Sequence, residues 1–352
     1  MMSTLVCPAC DRTYDDRWRC TCGHPLEFAS PPRPDGPAPD FSAFDSRRGV
    51  AAFDDFSPVA AHVSLGEGFT PLIEEPHLDA TLKLEYVSPT GSFKDRGAAT
   101  VVSRAVERGV DRVIEDSSGN AGTAIATYAA RAGLDAEIFV PESVTAAKRR
   151  AIEATGATVV SVSGSREAVA DACREAVADG RGWYASHAWN PAFFVGTATF
   201  GLELAAQRDW SVPDALVLPL GHGTLLLGAY RGFRALVEAG WTDTMPRLLA
   251  VQAAGYAPIA GDTGSETNDL ADGIQVREPV RRESVIDAIA ATDGDAIAVS
   301  TEGVREAHER LGRLGFDVEP TAAAAVAGLR RYRERGTIDG DSVVVPLTGR
   351  GK

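Results

Sequence analysis

From about residue 81 to the end of the chain, short apolar segments alternate with amphipathic or alanine-rich ones, and that alternation leaves few folds open. The pattern predicts strands over 81–87, 112–116, 136–140, 158–162, 215–218, 248–251, 296–299 and 342–346. It predicts helices over 94–108, 121–131, 146–154, 166–178, 225–239, 302–314 and 321–335. Strands followed by helices in this way build parallel sheets wrapped by helices, an α/β architecture. In such sheets ligands bind beyond the carboxyl ends of the strands. A chain of 352 residues can bury one large core or two modest ones.

Three loops at strand ends carry the chemistry. The first is Ser88-Pro89-Thr90-Gly91-Ser92-Phe93-Lys94-Asp95-Arg96-Gly97. Lysine is scarce, with four (Lys83, Lys94, Lys148 and Lys352) among 35 basic residues, yet one is kept in a glycine-flanked turn. Arginine cannot shed its proton to act as a nucleophile, whereas lysine can, and its amine can form a Schiff base with an aldehyde. The second loop, Asp116-Ser117-Ser118-Gly119-Asn120-Ala121-Gly122, precedes an alanine-rich helix, whose N-terminal amides suit a carboxylate or phosphate. The third, Pro219-Leu220-Gly221-His222-Gly223-Thr224-Leu225, follows an apolar strand, and its glycines let the backbone wrap an oxyanion. Each loop alone is common at helix starts. Their order is harder to obtain by chance.

The lysine run resembles that of the threonine synthases, within the pyridoxal-phosphate enzymes of fold type II, the tryptophan synthase β-like superfamily. The closing stretch Val343-Val344-Val345-Pro346-Leu347-Thr348-Gly349-Arg350-Gly351-Lys352 and the segment Val318-Glu319-Pro320-Thr321-Ala322-Ala323-Ala324 are similar to family segments as well. The resemblance implies two parallel-sheet α/β domains, a large one over 41–96 and 197–352 and a small one over 97–196. It also implies Lys94 as the Schiff-base lysine and shuttling acid/base. Asn120 would bond the cofactor's phenolic oxygen, Gly221, His222, Gly223, Thr224 and Leu225 would hold its phosphate, and Thr348 would face its ring nitrogen. Thr90, Ser117, Ser118 and Gly119 would bind substrate. The implied reaction converts O-phospho-L-homoserine and water to L-threonine and phosphate, by a homodimer. One departure stands out. Threonine synthases commonly carry basic residues after an Asn-Pro pair, and here Phe193 and Ala198 occupy those positions. Each lost contact to a phosphate dianion costs about 1.5–3 kcal/mol. Arg149, Arg150 and His187 are the candidate replacements. A serine/threonine ammonia-lyase, or a related β-eliminating enzyme on the same fold, is the competing reading.

Four of five cysteines cluster near the N-terminus, as Cys7-Pro8-Ala9-Cys10 and Cys20-Thr21-Cys22-Gly23-His24. Two close pairs across a short polar segment can offer four thiolates to a zinc ion. The second pair is C-x-C rather than C-x2-C, His24 can replace one ligand, and degenerate cysteines are the plain alternative. The family resemblance supports a zinc-ribbon-like knuckle over 1–29. The prolines of 30–40 read as a linker, Cys173 as a core residue, and 262–272 as a surface loop able to cover a site.

The net charge of −14 opposes nucleic acid and anionic membranes as partners, and so opposes a nucleic-acid-binding role for the knuckle. Few lysines and many acids point to a protein kept soluble in high salt; an ordinary acidic enzyme with arginine-rich usage is the alternative. No segment reaches the ~20 apolar residues that span a bilayer, and no basic-then-apolar signal opens the chain, so a cytoplasmic location with a small amino-acid substrate is expected.

Overall fold

The computed structural model describes residues 3–261 and 266–351. The chain begins with β1 (Leu5–Val6), β2 (Thr13–Tyr14) and β3 (Glu27–Phe28), an antiparallel sheet of order β2-β1-β3. An antiparallel pair follows, β4 (Leu72–Glu75) and β5 (Ala80–Lys83). Next come α1 (Lys94–Glu107), β6 (Arg112–Glu115), α2 (Asn120–Ala132), β7 (Asp135–Pro141), α3 (Ala146–Glu153) and β8 (Thr158–Val162). The chain continues through α4 (Arg166–Ala178), β9 (Trp183–Tyr184), α5 (Pro191–Ala206), β10 (Ala215–Pro219), α6 (Thr224–Glu238) and β11 (Arg247–Ala253). It closes with α7 (Arg282–Ala290), β12 (Asp295–Val299), α8 (Thr301–Arg313), α9 (Pro320–Glu334) and β13 (Val343–Pro346).

Two compact units result. The first comprises the chain up to Pro34, Asp45–Glu67 and Lys94–Thr197. Its main sheet has the order β8-β7-β6-β9, parallel throughout. The second comprises Asp35–Phe44, Gly68–Phe93 and the chain from Ala198 onward, with a sheet of order β12-β11-β10-β13-β5-β4 in which only β4 runs antiparallel. The mixed α/β class with parallel sheets is as the strand-helix alternation implies.

Local chemistry sets the helix ends. Thr145, Ser165 and Ser300 cap α3, α4 and α8 by accepting from backbone N–H groups of the first turn. Gly133, in the left-handed region, ends α2. In the second unit Ala322, Ala323, Ala324 and Ala325 of α9 are fully buried, and a Cβ on Gly328 would meet Val251 Cγ2 at 2.2 Å. Small side chains here let α9 lie close against the sheet.

Three expectations change. The strand expected over 81–87 ends at Lys83, and Glu85–Val87 forms a 3-10 turn in which Tyr86 N–H donates to Leu347 O at 3.0 Å. Helix α5 escapes the pattern because it is apolar on every face and has no amphipathic period. Of the 30–40 segment expected as a linker, the part from Asp35 onward is docked within the second unit: the Trp241 and Trp210 indoles donate to Gly36 O at 3.0 Å and to Pro39 O at 2.8 Å. Proline-rich composition signals a lack of regular structure and is silent on packing. Among the described residues no helix is long and apolar enough to cross a membrane.

Candidate active site

The lysine turn is built by hydrogen bonds within the second unit. Gly91, at φ 86°, closes it by donating to Ser88 O at 2.8 Å. Thr90, next to it, is half-buried. Ser92 bridges Gly349, and Phe93 N–H donates to Thr348 O at 3.1 Å, so the residues just before Lys94 are sewn to the chain's closing turn. Gly349 is fixed by space, since a Cβ there would lie 2.3 Å from the Glu319 carboxylate. The Oγ atoms of Thr348 and Ser88 are buried with no hydrogen-bond partner among the described residues. A buried hydroxyl without a partner costs about 1–3 kcal/mol, so each is suited to a bound group that supplies one.

Lys94 itself is the first residue of α1 and is half-buried. An ammonium at a helix N-terminus opposes the helix dipole, which favours the neutral amine. In the same unit β6 delivers the serine loop. Ser117, Ser118 and Gly119 are half-buried, Gly119 is the N-cap of α2, and Asn120 is its first residue, one earlier than the periodicity implies. Gly122 is required by close approach, because a Cβ would sit 1.8 Å from Ser117 O. The outcome is a helix N-terminus of the anion-binding kind, with Ser117 Oγ accepting from Gly119 N–H at 3.3 Å.

The glycine loop follows β10 in the second unit. Gly223 is the left-handed N-cap of α6, and a Cβ on it would meet Val285 Cγ2 at 2.6 Å. At Gly221 a Cβ would lie 3.1 Å from Gly273 O. Both glycines therefore have packing reasons. His222 lies between them, and the loop ends in the buried Thr224 and Leu225 at the start of a 15-residue helix. The surface loop read over 262–272 lies only partly within the described residues. Residues 262–265 lie outside the described residues, and beyond them Asn268 is buried, donating to Val299 O at 3.0 Å and accepting from Leu270 and Ala271 N–H.

The position expected to hold an arginine is committed to packing. Phe193 is fully buried, a Cβ on Gly97 would come within 2.4 Å of its ring, and a Cβ on Gly196 would lie 2.0 Å from Arg96 O. Helices α1 and α5 thus approach closely around the Phe193 ring. Ala198 plays a similar part in the second unit, where a Cβ on Gly232 would fall 2.3 Å from Ala198 O. Arg149 donates to Ser161 Oγ at 2.5 Å, and Arg150 is exposed on α3.

Sequence reasoning missed Glu115. It ends β6, is fully buried, and accepts from His187 N–H at 3.2 Å, while its other oxygen lies 2.6 Å from His187 Nδ1. Burial pushes its carboxyl up to about 8. Burial, and then the Lys94 charge, pull His187 down to about 3. The signal was visible in the sequence, as two acids, Glu115 and Asp116, at the end of an apolar strand directly before a ligand loop.

In the N-terminal sheet Cys7, Cys10, Cys20 and Cys22 bring four Sγ atoms within 4.8 Å of one another. Individual pairs stand at 3.5–3.6 Å, with His24 Nδ1 3.5 Å from Cys22 Sγ. No pair is a disulfide, which requires about 2.05 Å. Tetrahedral zinc–thiolate bonds of ~2.3 Å imply sulfur separations near ~3.8 Å, so the cluster fits such an ion. Cys173 is buried on α4, as expected.

Comparison with known proteins bears on the fold and the lineage. Residues 63–349 match the family described as "Pyridoxal-phosphate dependent enzyme". The chain is 32% identical to a threonine synthase of Methanocaldococcus jannaschii, over 97% of this chain and 90% of the relative. It is 34% identical to one of Methanosarcina acetivorans, over 81% of this chain and 75% of the relative. Among solved structures, maize serine racemase superposes with a TM-score of 0.69 at 22% identity, covering 80% of this chain and 88% of that one. An L-serine ammonia-lyase from Rhizomucor miehei gives 0.69 at 24%, covering 80% and 93%. The structural likenesses establish the fold, and the sequence match, with Lys94 at a helix start inside it, the lineage: the chain belongs to the family of pyridoxal-phosphate-dependent enzymes of fold type II, with threonine synthases as relatives along most of its length.

Proposed function

We propose that the protein is a threonine synthase, a lyase converting O-phospho-L-homoserine and water to L-threonine and phosphate. The observation that carries the reading is the Ser88–Gly97 run, with Lys94 at the first position of α1, in a chain that matches threonine synthases almost end to end. Pyridoxal phosphate, when bound, supplies the electron sink for negative charge at the substrate's Cα. The chain's residues do the rest. Lys94 would bond the cofactor and carry protons to and from the substrate's Cα and Cβ. Asn120 would bond the cofactor's phenolic oxygen, and the amides of Gly221, His222, Gly223, Thr224 and Leu225 would take its phosphate. Thr348 would face the ring nitrogen; its buried Oγ, without a hydrogen-bond partner among the described residues, supports that role. A hydroxyl there leaves the ring less electron-withdrawing than a carboxylate would, so proton transfer rests on Lys94. Ser117, Ser118 and Gly119, with Thr90, receive the substrate carboxylate.

A second reading has its own support. With Phe193 packed against Gly97, no arginine stands where threonine synthases commonly carry one, which favours a serine/threonine ammonia-lyase or a related β-eliminating enzyme. The test is a product assay on cofactor-loaded protein in concentrated KCl. Threonine and inorganic phosphate released in equal amounts from O-phosphohomoserine are the expected result. Ammonia and a 2-oxo acid from threonine or serine, with no phosphate released, would replace the synthase by the lyase.

The same reading takes the four-cysteine cluster as a structural zinc site, since four thiolates leave no open position for catalysis. One zinc per chain is expected by elemental analysis after dialysis, and none in Cys7→Ser/Cys22→Ser. Zinc-free wild-type protein purified under metal-replete conditions would refute it. A cytoplasmic homodimer adapted to salt completes the picture, supported by 49 acidic against 35 basic residues and by the family.

A further inference from the structure

Two parallel strands of the first unit end side by side and bring a carboxylate onto an imidazole. β9 pairs with β6 through Val113 opposite Trp183 and Ile114 opposite Tyr184, and Ala185 N–H continues the ladder to Ile114 O at 2.9 Å. One residue later on β6 is Glu115, and three residues past Tyr184 is His187. Both Glu115 oxygens are engaged by His187, one by its backbone N–H at 3.2 Å and the other by Nδ1 at 2.6 Å. The contact lies at the carboxyl ends of the strands, two residues before Ser117, on the side where such sheets bind ligands. The His187 ring, which keeps 14% exposure while Glu115 has none, meets the buried Phe193 ring edge-on at 6.0 Å between centroids.

The other ionisable groups around the pair are few. Asp116 follows on the same strand end and accepts from Tyr184 OH at 3.0 Å. Lys94 comes from α1, and its charge acts on Glu115 and His187 alike. From α4 come Arg166, which acts on His187, and Cys173, which burial keeps as a thiol. Lys94 is thus the cation that both members of the pair sense.

We propose that Glu115 and His187 form a positioning dyad that shares one proton beside Lys94 and, by gaining or losing it, sets the charge the lysine amine faces. The inference rests on Lys94 being the reactive lysine of this family. With one proton in the 2.6 Å contact the pair is neutral overall, whichever atom carries it, and the proton's loss belongs to the pair rather than to one residue. Burial pushes the carboxyl up to about 8 and the imidazole down to about 3, so the proton stays up to mildly alkaline pH. Below that pH the neutral dyad adds no negative charge to that of Asp116, whose carboxyl burial pushes up to about 6, and the free amine needed for bonding and proton transfer is favoured relative to the anionic dyad. Above it the dyad carries a full negative charge and holds Lys94 protonated.

The test reads the amine without cofactor. Apoprotein is reductively methylated with formaldehyde and cyanoborohydride from pH 6 to 10, and the Lys94 peptide is quantified against the Lys148 peptide, another half-buried lysine, by mass spectrometry. The expected wild-type profile shows Lys94 reactivity rising with pH and then flattening between pH 7 and 9, where the dyad becomes anionic. Glu115→Gln keeps an oxygen for the His187 N–H but removes the titrating proton. It should abolish the inflection and raise Lys94 labelling at pH 9 on the order of tenfold, equivalent to one pKa unit, with less than twofold change at pH 6.5. Asp116→Asn should retain the inflection. A wild-type profile without an inflection, or the same inflection in Glu115→Gln, overturns the proposal, and the wild-type profile decides even if the variant does not fold. Failure of pyridoxal phosphate to give a lysine-dependent visible band would sink the cofactor reading separately.

Discussion

Lys94→Ala is expected to lower product formation on the order of 10³-fold or more and to eliminate the visible absorbance that pyridoxal phosphate acquires on binding the wild-type chain. A chain that spends four lysines in 352 residues keeps one at the first position of a 14-residue helix, half-buried, after a turn bonded to Thr348 and Gly349. Positive charge at a helix N-terminus is unfavourable, so the location costs stability unless the amine spends time neutral. Lys94→Arg separates the amine from the charge: it keeps a cation and the length, cannot lose its proton, and should be as inactive as alanine. Both variants should unfold within about 0.5 kcal/mol of the wild type, as expected for a residue whose role is not packing. A Lys94→Arg protein with more than a tenth of wild-type turnover would end the assignment of Lys94 as the reactive lysine.

The sequence was most legible where local chemistry decides structure. The β6–loop–α2 element is an example: an apolar strand, a run of Ser, Gly and Asn, and alanines that can only be helical give its bounds to within a residue. Long-range choices were less visible. Phe193 looked like a missing arginine, and only the space at Gly97, where a Cβ would fall 2.4 Å from the ring, reveals it as the packing of two helices. Glu115 and His187 are 72 residues apart, and nothing local to either announces the other. Their meeting depends on β9 entering the sheet beside β6 as a two-residue strand, too short for a periodic signal. The docked 35–44 segment is similar, since indole-to-carbonyl bonds across 171 and 205 residues leave no trace in composition.

Lys83 is the other lysine with a large expected effect, and it acts on stability instead of chemistry. It lies on β5 with no exposed surface, in a buried ion pair with Glu203 of α5, whose side chain is 1% exposed. Its Nζ also donates to Thr70 O at 2.7 Å, Thr70 Oγ1 at 2.6 Å and Gln207 Oε1 at 2.9 Å. Glu203 in turn accepts from Phe69 N–H at 2.7 Å and Thr70 N–H at 2.9 Å. The pair therefore ties β5, the segment ahead of β4 and α5 together inside the second unit. Lys83→Met keeps the stem's volume but leaves the Glu203 carboxylate buried without its cation, a loss of about 3–5 kcal/mol. Denaturant titration should show the midpoint falling accordingly with little change in slope. Adding Glu203→Gln removes the stranded charge and keeps one acceptor oxygen for one of the Phe69 and Thr70 amides, so the double variant should recover part of the loss. A double-mutant cycle with no coupling, each substitution costing the same alone as together, would mean that Lys83 stabilises the unit by packing and not by charge.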